Sequence, residues 1–409
     1  MKQSLLALLL CLVMVGCSAA NAPGEPADAG QSGIDDTQVT EPVEPPPPPP
    51  PPEPIESTLV VIGDIMNHLP QVNDAFDGEK YDYTNMMGAV APYATAADCA
   101  VGNFETTLAG GPPYSGYPAF NSPDDLAYSL KDMGFDLMLT ANNHSLDRGG
   151  KAVIRTLDVM DEAGLRHVGT SRTQEEYDNN IQVMDVGGIS VAFLGYTYGT
   201  NGIPTPKDAP YAVNLFNTDY LTHMSTLDEE KVRGDLEKAK ALDTDLIAVM
   251  IHWGVEYQTK QNSYQDQVAD FLFQNGADII LGGHAHVLQP MELRTVTMPD
   301  GTEKQGFVCY SLGNFISAQN DPLTDTTVVL TLELKKDLET NETTIEGFNY
   351  RPMLMLDREA GAEVRFQLLD VYAEIAKGDG AAVSQARLQQ CIEDCHRILG
   401  AEHDVGAAE

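Results

Sequence analysis

Short apolar runs alternate with amphipathic segments of helical length from residue 58 onward. Runs of strand length predict strands at residues 57–64, 98–105, 135–142, 181–186, 189–196, 244–252, 277–283, 306–315, 326–334 and 343–353. Segments with helical periodicity predict helices at residues 83–93, 123–133, 149–163, 227–242, 265–275 and 381–399. The glycines at 187 and 188 indicate a hairpin turn between two of the strands. This order predicts an α/β fold with sheets packed on each other and helices outside.

Polar residues that can bind metals lie at the ends of many of the predicted strands or just after them. They are Asp64, Asn103, Glu105, Asn142, Asn143, His144, His252, His284, His286 and Asn314. In α/β sheets, ligands gather at the carboxyl ends of strands, because the loops there converge. The chain has only nine histidines, so such repeated placement favours one shared site over surface decoration.

The residue types in this set suit a pair of divalent cations. Two such ions need a bridging carboxylate, further oxygen ligands and several imidazoles, all on rigid supports. Asp64 and Glu105 are the predicted anionic ligands, with Glu105 as the bridge. The remaining predicted ligands are the amide oxygen of Asn143 and the imidazoles of His252, His284 and His286.

Two further expectations concern the histidines. His284 and His286 are expected to bind different metals, with His286 on the metal beside Asp64. His144, beside the ligand Asn143, is expected to be catalytic, either as an acid or by stabilising a transition state. The alternative for His284 and His286 is a pair of loop histidines with no shared role. Mn, Fe and Zn are the candidate metals.

Six segments in this order resemble the CapA family, associated with poly-γ-glutamate capsule synthesis and export, and through it the calcineurin-like metallophosphoesterase superfamily. They are GDIMNH (63–68), GNFETTL (102–108), ANNHSLDRG (141–149), IHWGVEY (251–257), GGHAHVLQP (282–290) and YSLGNF (310–315). The resemblance implies a four-layer α/β/β/α sandwich of metallophosphoesterase type with a dinuclear metal site. It covers residues 57–355.

Some positions match the superfamily motifs and others depart from them. The matches are Asp64, Asn143, His144, His252, Gly283, His284 and His286. Met66 stands where metallophosphoesterases usually have histidine, and His68 lies two residues further on. Asn103 and Glu105 replace the usual GDxxD motif. The exchange at 103 and 105 supports the CapA resemblance and weakens a phosphatase assignment. The missing histidine at 66 predicts that the metal beside Asp64 binds more weakly.

Other residues near the motifs are expected to bind substrate or to support the ligands: His68, Asn103, Asn142, Arg148, Trp253, Glu256 and Asn314. For three of them the sequence leaves two interpretations open. Trp253 and Glu256 could both line the site and contact substrate. Alternatively, Trp253 only packs beside His252. Arg148 either binds an anionic substrate or pairs with Asp147.

The N-terminus predicts export and lipid anchoring. Lys2, the apolar run 5–15 and then Gly16 and Cys17 resemble a bacterial lipoprotein signal, in which Cys17 is lipidated. Residues 18–57 contain no lysine or arginine, and an unbroken proline run occupies 45–52. Such a segment favours a disordered, partly polyproline spacer. The predicted location is the outer face of the cell membrane.

Charge and cysteine content narrow the partners and the source. The 61 acidic and 24 basic residues give a net charge of −37, which disfavours nucleic acid as a partner. Apart from Cys11 and Cys17, four cysteines remain, with spacings that do not predict a disulfide framework. An exported protein without disulfides favours a Gram-positive or anaerobic source.

The sequence therefore predicts four parts: a signal peptide at 1–17, an acidic, proline-rich linker at 18–56, a metallophosphoesterase-type domain at 57–356 and a helical appendage at 357–409. Three functions remain open: a hydrolase of capsule synthesis, a phosphoesterase of the cell envelope, and a non-catalytic scaffold that binds or exports polymer. The expected partners are poly-γ-glutamate or another envelope polymer, the membrane through the lipid, and other proteins of capsule synthesis and export.

Overall fold

A computed structural model describes residues 51–362 and 364–408. The predicted signal peptide and most of the predicted linker lie outside these residues. The strands are β1 (Ile55–Ile65), β2 (Cys99–Asn103), β3 (Leu137–Leu139), β4 (Arg166–Val168), β5 (Gln182–Val186), β6 (Ile189–Thr197), β7 (Leu246–His252), β8 (Ile279–Gly283), β9 (Leu288–Thr297), β10 (Glu303–Leu312), β11 (Asn314–Ile316), β12 (Thr326–Lys336), β13 (Thr343–Asp357) and β14 (Phe366–Asp370).

The α-helices of the described residues lie between and after these strands. They are α1 (Leu69–Ala75), α2 (Thr84–Met87), α3 (Ala91–Ala96), α4 (Asp125–Asp132), α5 (Gly150–Ala163), α6 (Gln174–Asp178), α7 (Glu229–Lys240), α8 (Ser263–Gln274), α9 (Val371–Ala376) and α10 (Gln385–Leu399). None of them is both long enough and apolar enough to cross a bilayer.

The strands form two sheets. The eight-stranded sheet has the order β14-β13-β12-β1-β2-β3-β4, with β11 paired to β1. The six-stranded sheet has the order β5-β6-β7-β8-β10-β9. In the first sheet β1 to β4 run parallel, and in the second β6, β7, β8 and β10 do. Each sheet therefore has a parallel block whose carboxyl ends lie at one edge.

Alternation along the central strands divides the apolar residues into three cores. Leu59 and Val61 of β1 face Val191 and Phe193 of β6 across the space between the sheets. Val60 and Ile62 pack outward against helices α2 to α5, while Ala192 and Leu194 pack against α7 and α8. Because successive side chains of a strand point to opposite faces, one sheet can be covered on both sides. The predicted α/β/β/α sandwich is confirmed.

The predicted helix at 83–93 is wrong as one continuous element. The chain forms α2, then a 3₁₀ turn at Gly88–Val90, then α3. Pro92 lies in the first turn of α3, where its missing N–H is tolerated, but it cannot continue a helix that began earlier.

Residues after 357 contribute more than helices. β14 pairs with β13 at the edge of the eight-stranded sheet, and α10 buries Leu388, Cys391 and Cys395 against the core between the sheets. The four cysteines of the described residues are free and buried.

Candidate metal centre

The parallel registers bring the predicted ligands together. Asp64 of β1 lies beside Asn103 of β2 on one side and beside Asn314 of β11 on the other. In the six-stranded sheet, His252 at the end of β7 lies beside Gly283 at the end of β8. Both sheets thus deliver side chains to one buried position, as the strand-end pattern predicts.

Close backbone packing requires glycine where the sheets meet. A β-carbon on Gly63 would lie 2.0 Å from the carbonyl oxygen of Gly313, and one on Gly283 would lie 2.4 Å from Asp64 Oδ1. The turn after β8 is also strained, because His284 and His286 have positive φ angles of 94° and 60°. The backbone N–H of His284 donates to Asp64 Oδ2 over 3.0 Å and holds this turn in place.

Two groups of side chains have the composition and spacing to hold a metal ion. Asp64, Glu105 and His252 form one group, and Glu105, His284 and His286 form the other. In each group the ligand atoms lie within 4.8 Å of one another, and all of these residues are buried. Glu105 belongs to both groups, which is the arrangement that a bridging carboxylate needs.

Unsatisfied polar atoms indicate that these groups fit a cation. Both carboxylate oxygens of Glu105 and Nδ1 of His284 are buried without a hydrogen-bond partner. A buried carboxylate without hydrogen bonds is costly unless a charge compensates it. A divalent cation bound by Glu105 and His284 would satisfy all three atoms.

The pKa values describe a site that attracts positive charge. Burial would raise the pKa of Glu105, but His252, His286 and His144 outweigh burial and lower it to about 2. Burial and the three neighbouring imidazoles hold the pKa of His284 well below its usual range, so its ring is neutral. Burial lowers the pKa of His286, but Asp64 and Glu105 outweigh burial and raise it to about 9. The proton on His286 is held beside the carboxylates of Asp64 and Glu105, and a metal ion would compete with it for these ligands.

Amide side chains orient the predicted ligands. His252 Nε2 lies 3.0 Å from Asn143 Oδ1 and 3.5 Å from Glu105 Oε1, so three potential ligand atoms face each other. Asn103 Nδ2 donates to Asp64 Oδ1 over 2.7 Å and contacts His252 Nδ1 at 3.1 Å. His286 Nδ1 lies 3.0 Å from Asn314 Oδ1 and 3.6 Å from Asp64 Oδ2.

His144 lies at the edge of the centre and is held by Asp147. Its Nδ1 donates to Asp147 Oδ2 over 2.8 Å, and both side chains are buried. Phe120 packs edge-on against the imidazole with ring centroids 4.7 Å apart. The remaining nitrogen, Nε2, is therefore the one that can exchange a proton. From the sequence, a pairing of Asp147 with Arg148 was one of two open interpretations. The signal for a contact with His144 was the spacing of three residues between His144 and Asp147.

Asn142 and Trp253 have structural contacts. Asn142 donates to the carbonyl oxygen of Phe104 over 2.8 Å and its Oδ1 accepts from the His144 N–H, which shapes the loop. The Trp253 indole donates to the Tyr310 carbonyl over 2.9 Å and packs in the outer core under the six-stranded sheet. The packing interpretation therefore describes Trp253.

His68, Arg148 and Glu256 surround the centre without belonging to either ligand group. His68 Nδ1 lies 3.1 Å from the Met66 carbonyl oxygen. Glu256 is half-exposed, with Oε1 3.9 Å from His286 Nε2. Arg148 makes no ion pair with Asp147; it donates to the carbonyl oxygens of Ala119 and Phe120 in a neighbouring loop.

Tyr198 is a neighbour of the ligands that the sequence did not single out. Its ring lies 4.5 Å from that of His284 and 6.2 Å from that of His252. Burial raises its pKa above the ordinary range, so the hydroxyl stays protonated. Tyr198 follows β6, and a tyrosine after an apolar strand carries no metal-ligand signal in the sequence.

All six motif segments lie within the part of the chain that matches a protein-family model. The model is described as bacterial capsule synthesis protein PGA_cap and matches residues 58–319. The chain belongs to the PGA_cap family. The resemblance to CapA is thereby confirmed.

Two relatives from Bacillus are similar to this chain over about two thirds of its length. The capsule biosynthesis protein CapA of Bacillus anthracis is 30% identical over 270 residues, 64% of this chain and 60% of that protein. The PGA biosynthesis protein CapA of Bacillus subtilis (strain 168) is 29% identical over 282 residues, 68% of this chain and 67% of that protein. A solved structure described as a novel phosphatase from Mycoplasma pneumoniae is similar with 14% identity and a TM-score of 0.42, covering 74% of this chain and 95% of that chain.

Proposed function

We propose that the protein is a metal-dependent hydrolase that acts on a capsule polymer, with poly-γ-glutamate as the first candidate substrate. Glu105 carries the proposal: its buried carboxylate is shared by two ligand groups and has no hydrogen-bond partner. The polymer is suggested by the family and by the Bacillus relatives, whose names refer to capsule and PGA biosynthesis. Other proteins of capsule synthesis and export are the proposed partners.

Each residue of the centre has a distinct role in this proposal. Two divalent cations, Mn, Fe or Zn, would polarise the scissile group and activate a water molecule near neutral pH. Glu105 would hold both cations, and the other members of the two ligand groups would fix their positions. His144 would transfer a proton to the leaving group through Nε2, while Asp147 fixes its tautomer and orientation.

We also propose that the folded domain is held outside the cell by a lipid on Cys17, with residues 18–56 as a spacer. The support is the sequence: a short apolar run ending in glycine and cysteine, then a proline-rich segment without basic residues. Membrane fractionation of cells expressing the wild type or Cys17→Ser tests it. The wild type is expected in the membrane fraction and the variant outside it; identical fractionation would contradict the lipid anchor.

The central experiment measures metal content and polymer length together. The purified protein is expected to bind two equivalents of Mn, Fe or Zn and to shorten poly-γ-glutamate, as followed by size-exclusion chromatography. Glu105→Gln is expected to lose at least one metal equivalent and the activity, because an amide cannot bridge two cations. Glu237→Gln, an exposed carboxylate on α7, is the matched control.

The outcomes separate the three candidate functions. Bound metal with polymer binding but no shortening would replace the hydrolase with a scaffold. Turnover of an aryl phosphate that His144→Ala abolishes, with intact polymer, would replace it with a phosphoesterase. Absence of bound metal above background would contradict the metal centre itself.

A further inference from the structure

A cleft of about 320 Å³ lies outside the metal centre, at the end occupied by His144. His68, Leu69, Pro70, residues 115–119 and Arg148 line it, and we call it the Arg148 cleft. Its volume is at the lower end of the range for small-molecule sites. It can therefore hold a small unit of a longer substrate.

Ring contacts connect this cleft to His144. The His68 ring packs edge-on against Phe120 with centroids 5.1 Å apart, and Phe120 packs in the same way against His144 at 4.7 Å. From the other side, the Tyr117 ring lies 6.4 Å from His144. A substrate unit in the cleft would therefore lie within one aromatic side chain of His144.

The walls of the cleft expose apolar surface. Leu69 is 42% exposed and Tyr117 is 71% exposed, although both are large apolar or aromatic side chains. Exposed apolar surface beside polar catalytic groups often marks a ligand-binding groove. These walls suit the carbon chain of a substrate better than a fully hydrated ion.

Arg148 is the only lysine or arginine among the residues that line the cleft. Its Nη2 donates to the Ala119 carbonyl over 2.8 Å and to the Ser115 hydroxyl, and its Nε donates to the Phe120 carbonyl over 3.4 Å. Among residues 51–362 and 364–408, no carboxylate forms an ion pair with this guanidinium, and its hydrogen bonds use Nε and Nη2 but not Nη1. Asp147, the adjacent carboxylate, accepts from His144 and from the Phe120 N–H instead. The Arg148 guanidinium is thus held in place by the loop and keeps N–H donors that can bind a ligand.

We propose that the Arg148 cleft is a subsite for a substrate unit that carries a carboxylate on a short carbon chain. Arg148 binds the carboxylate, since guanidinium donors match its geometry, and the walls contact the methylene groups. A γ-linked glutamyl unit has this composition. The inference rests on the proposed function for its polymer, and it assigns the unit next to the scissile bond. Arg148 would also provide a local positive charge for a polyanionic substrate on a protein whose net charge is negative.

Binding of two matched oligomers tests the subsite. The probes are a γ-linked glutamate hexamer and its counterpart with every α-carboxylate converted to an amide, titrated by calorimetry into the metal-loaded full chain. All proteins carry His144→Ala so that no turnover occurs. Without further change, the protein is expected to bind the carboxylated oligomer more tightly. Arg148→Gln is expected to reduce this preference about tenfold, the effect of one charge-assisted hydrogen-bonded contact.

A second variant guards against a loop rearrangement in Arg148→Gln. Leu69→Glu places a negative charge in the cleft, leaves the Arg148 hydrogen bonds intact and changes an exposed residue in the first turn of α1, where acidic residues are tolerated. It is expected to reduce the preference, whereas Leu69→Gln is not. Lys151→Gln, which removes an exposed charge on α5, is expected to leave the preference unchanged.

The proposal is overturned if the preference is absent at the start, or if either Arg148→Gln or Leu69→Glu retains it, since the metals alone would then bind the carboxylates. Failure of the proposed function gives a different result. In that case the protein with His144 intact leaves the polymer uncut, while the preference and its loss in both variants remain.

Discussion

At the residue scale, His144 depends on a carboxylate that lies one turn further along the same loop. Asp147 is buried with it and accepts from Nδ1 at 2.8 Å. An aspartate in this position fixes the tautomer and the orientation of the imidazole. Asp147 therefore positions His144 and does not need to touch the substrate.

Asp147→Asn is expected to lower turnover of the polymer by about 10²- to 10⁴-fold, because an amide no longer fixes the required tautomer and orientation of the imidazole. Metal content is expected to stay unchanged, since Asp147 belongs to neither ligand group. Kinetics over a range of pH check it, with a displaced pH profile as the sign of a positioning role. A double variant with His144→Ala that falls well below both single variants would contradict coupling between the two residues.

Much of the centre could be predicted residue by residue, because parallel strands deliver their carboxyl ends to one edge. That reasoning selected Asp64, Glu105, His252, His284 and His286, which the structure brings together. It failed where tertiary packing decides the partner. The spacing of His144 and Asp147 permits their contact but does not select it over a pairing of Asp147 with Arg148. Nothing local shows that the Trp253 indole turns away into the core.

At the element scale, the strands that escaped prediction are those at sheet edges or with few residues. β9 lies at the edge of the six-stranded sheet and contains Pro290, which breaks a strand pattern but is tolerated where one side of the strand is unpaired. β4 has three residues and leaves little periodicity to detect. The long central strands and the amphipathic helices α5, α7 and α8 were predicted because burial imposes their pattern.

An ion pair fastens the two sheets to each other. Asp245, just before β7, contacts Lys336 at the end of β12 with 2.6 Å between Oδ1 and Nζ, and it accepts from the Ser190 N–H at 2.8 Å. Burial would raise the pKa of Asp245, but Lys336 and Ser190 outweigh burial and lower it.

A carboxyl group whose pKa is lowered by folding stabilises the protein fully at pH values above its unfolded-state pKa, about 3.9. This contribution is lost as the pH falls through the folded-state pKa. Asp245→Asn is therefore expected to cost about 1–3 kcal/mol at pH 7 and less at pH 3, which lies below the unfolded-state pKa. Urea unfolding of both proteins at the two pH values measures it. An equal difference at both would show that charge plays no part.

Helix α10 lies beyond the part of the chain that matches the family model, yet it completes the core between the sheets. Leu388→Ala is expected to cost about 2–5 kcal/mol, the range for truncating a fully buried leucine. Gln389→Ala, one position along on the exposed face, is expected to change the free energy of unfolding by less than about 0.5 kcal/mol. Equal effects of both substitutions would mean that α10 is peripheral to stability.

At the scale of the whole molecule, a net charge of −37 opposes a polyanionic substrate. Added salt screens this long-range repulsion more than it weakens buried contacts at the centre. Binding of poly-γ-glutamate is therefore expected to strengthen as NaCl rises from about 50 to 300 mM, and to require metal throughout. Titrations at several salt concentrations check it; weaker binding at high salt would point to an extended basic surface instead.

The division of the ligands between the sheets has a consequence for when the centre forms. Asp64 and Glu105 come from the eight-stranded sheet, whereas His252, His284 and His286 come from the six-stranded sheet. Only His284 and His286 are close along the chain, so an unfolded chain offers a metal ion little more than two imidazoles. A metal ion would therefore bind tightly only after both sheets have formed and packed together. Bound ions would then stabilise the contact between the two sheets. Metal binding would thus be one of the last steps of folding. The rate of unfolding would fall only after the metal has bound.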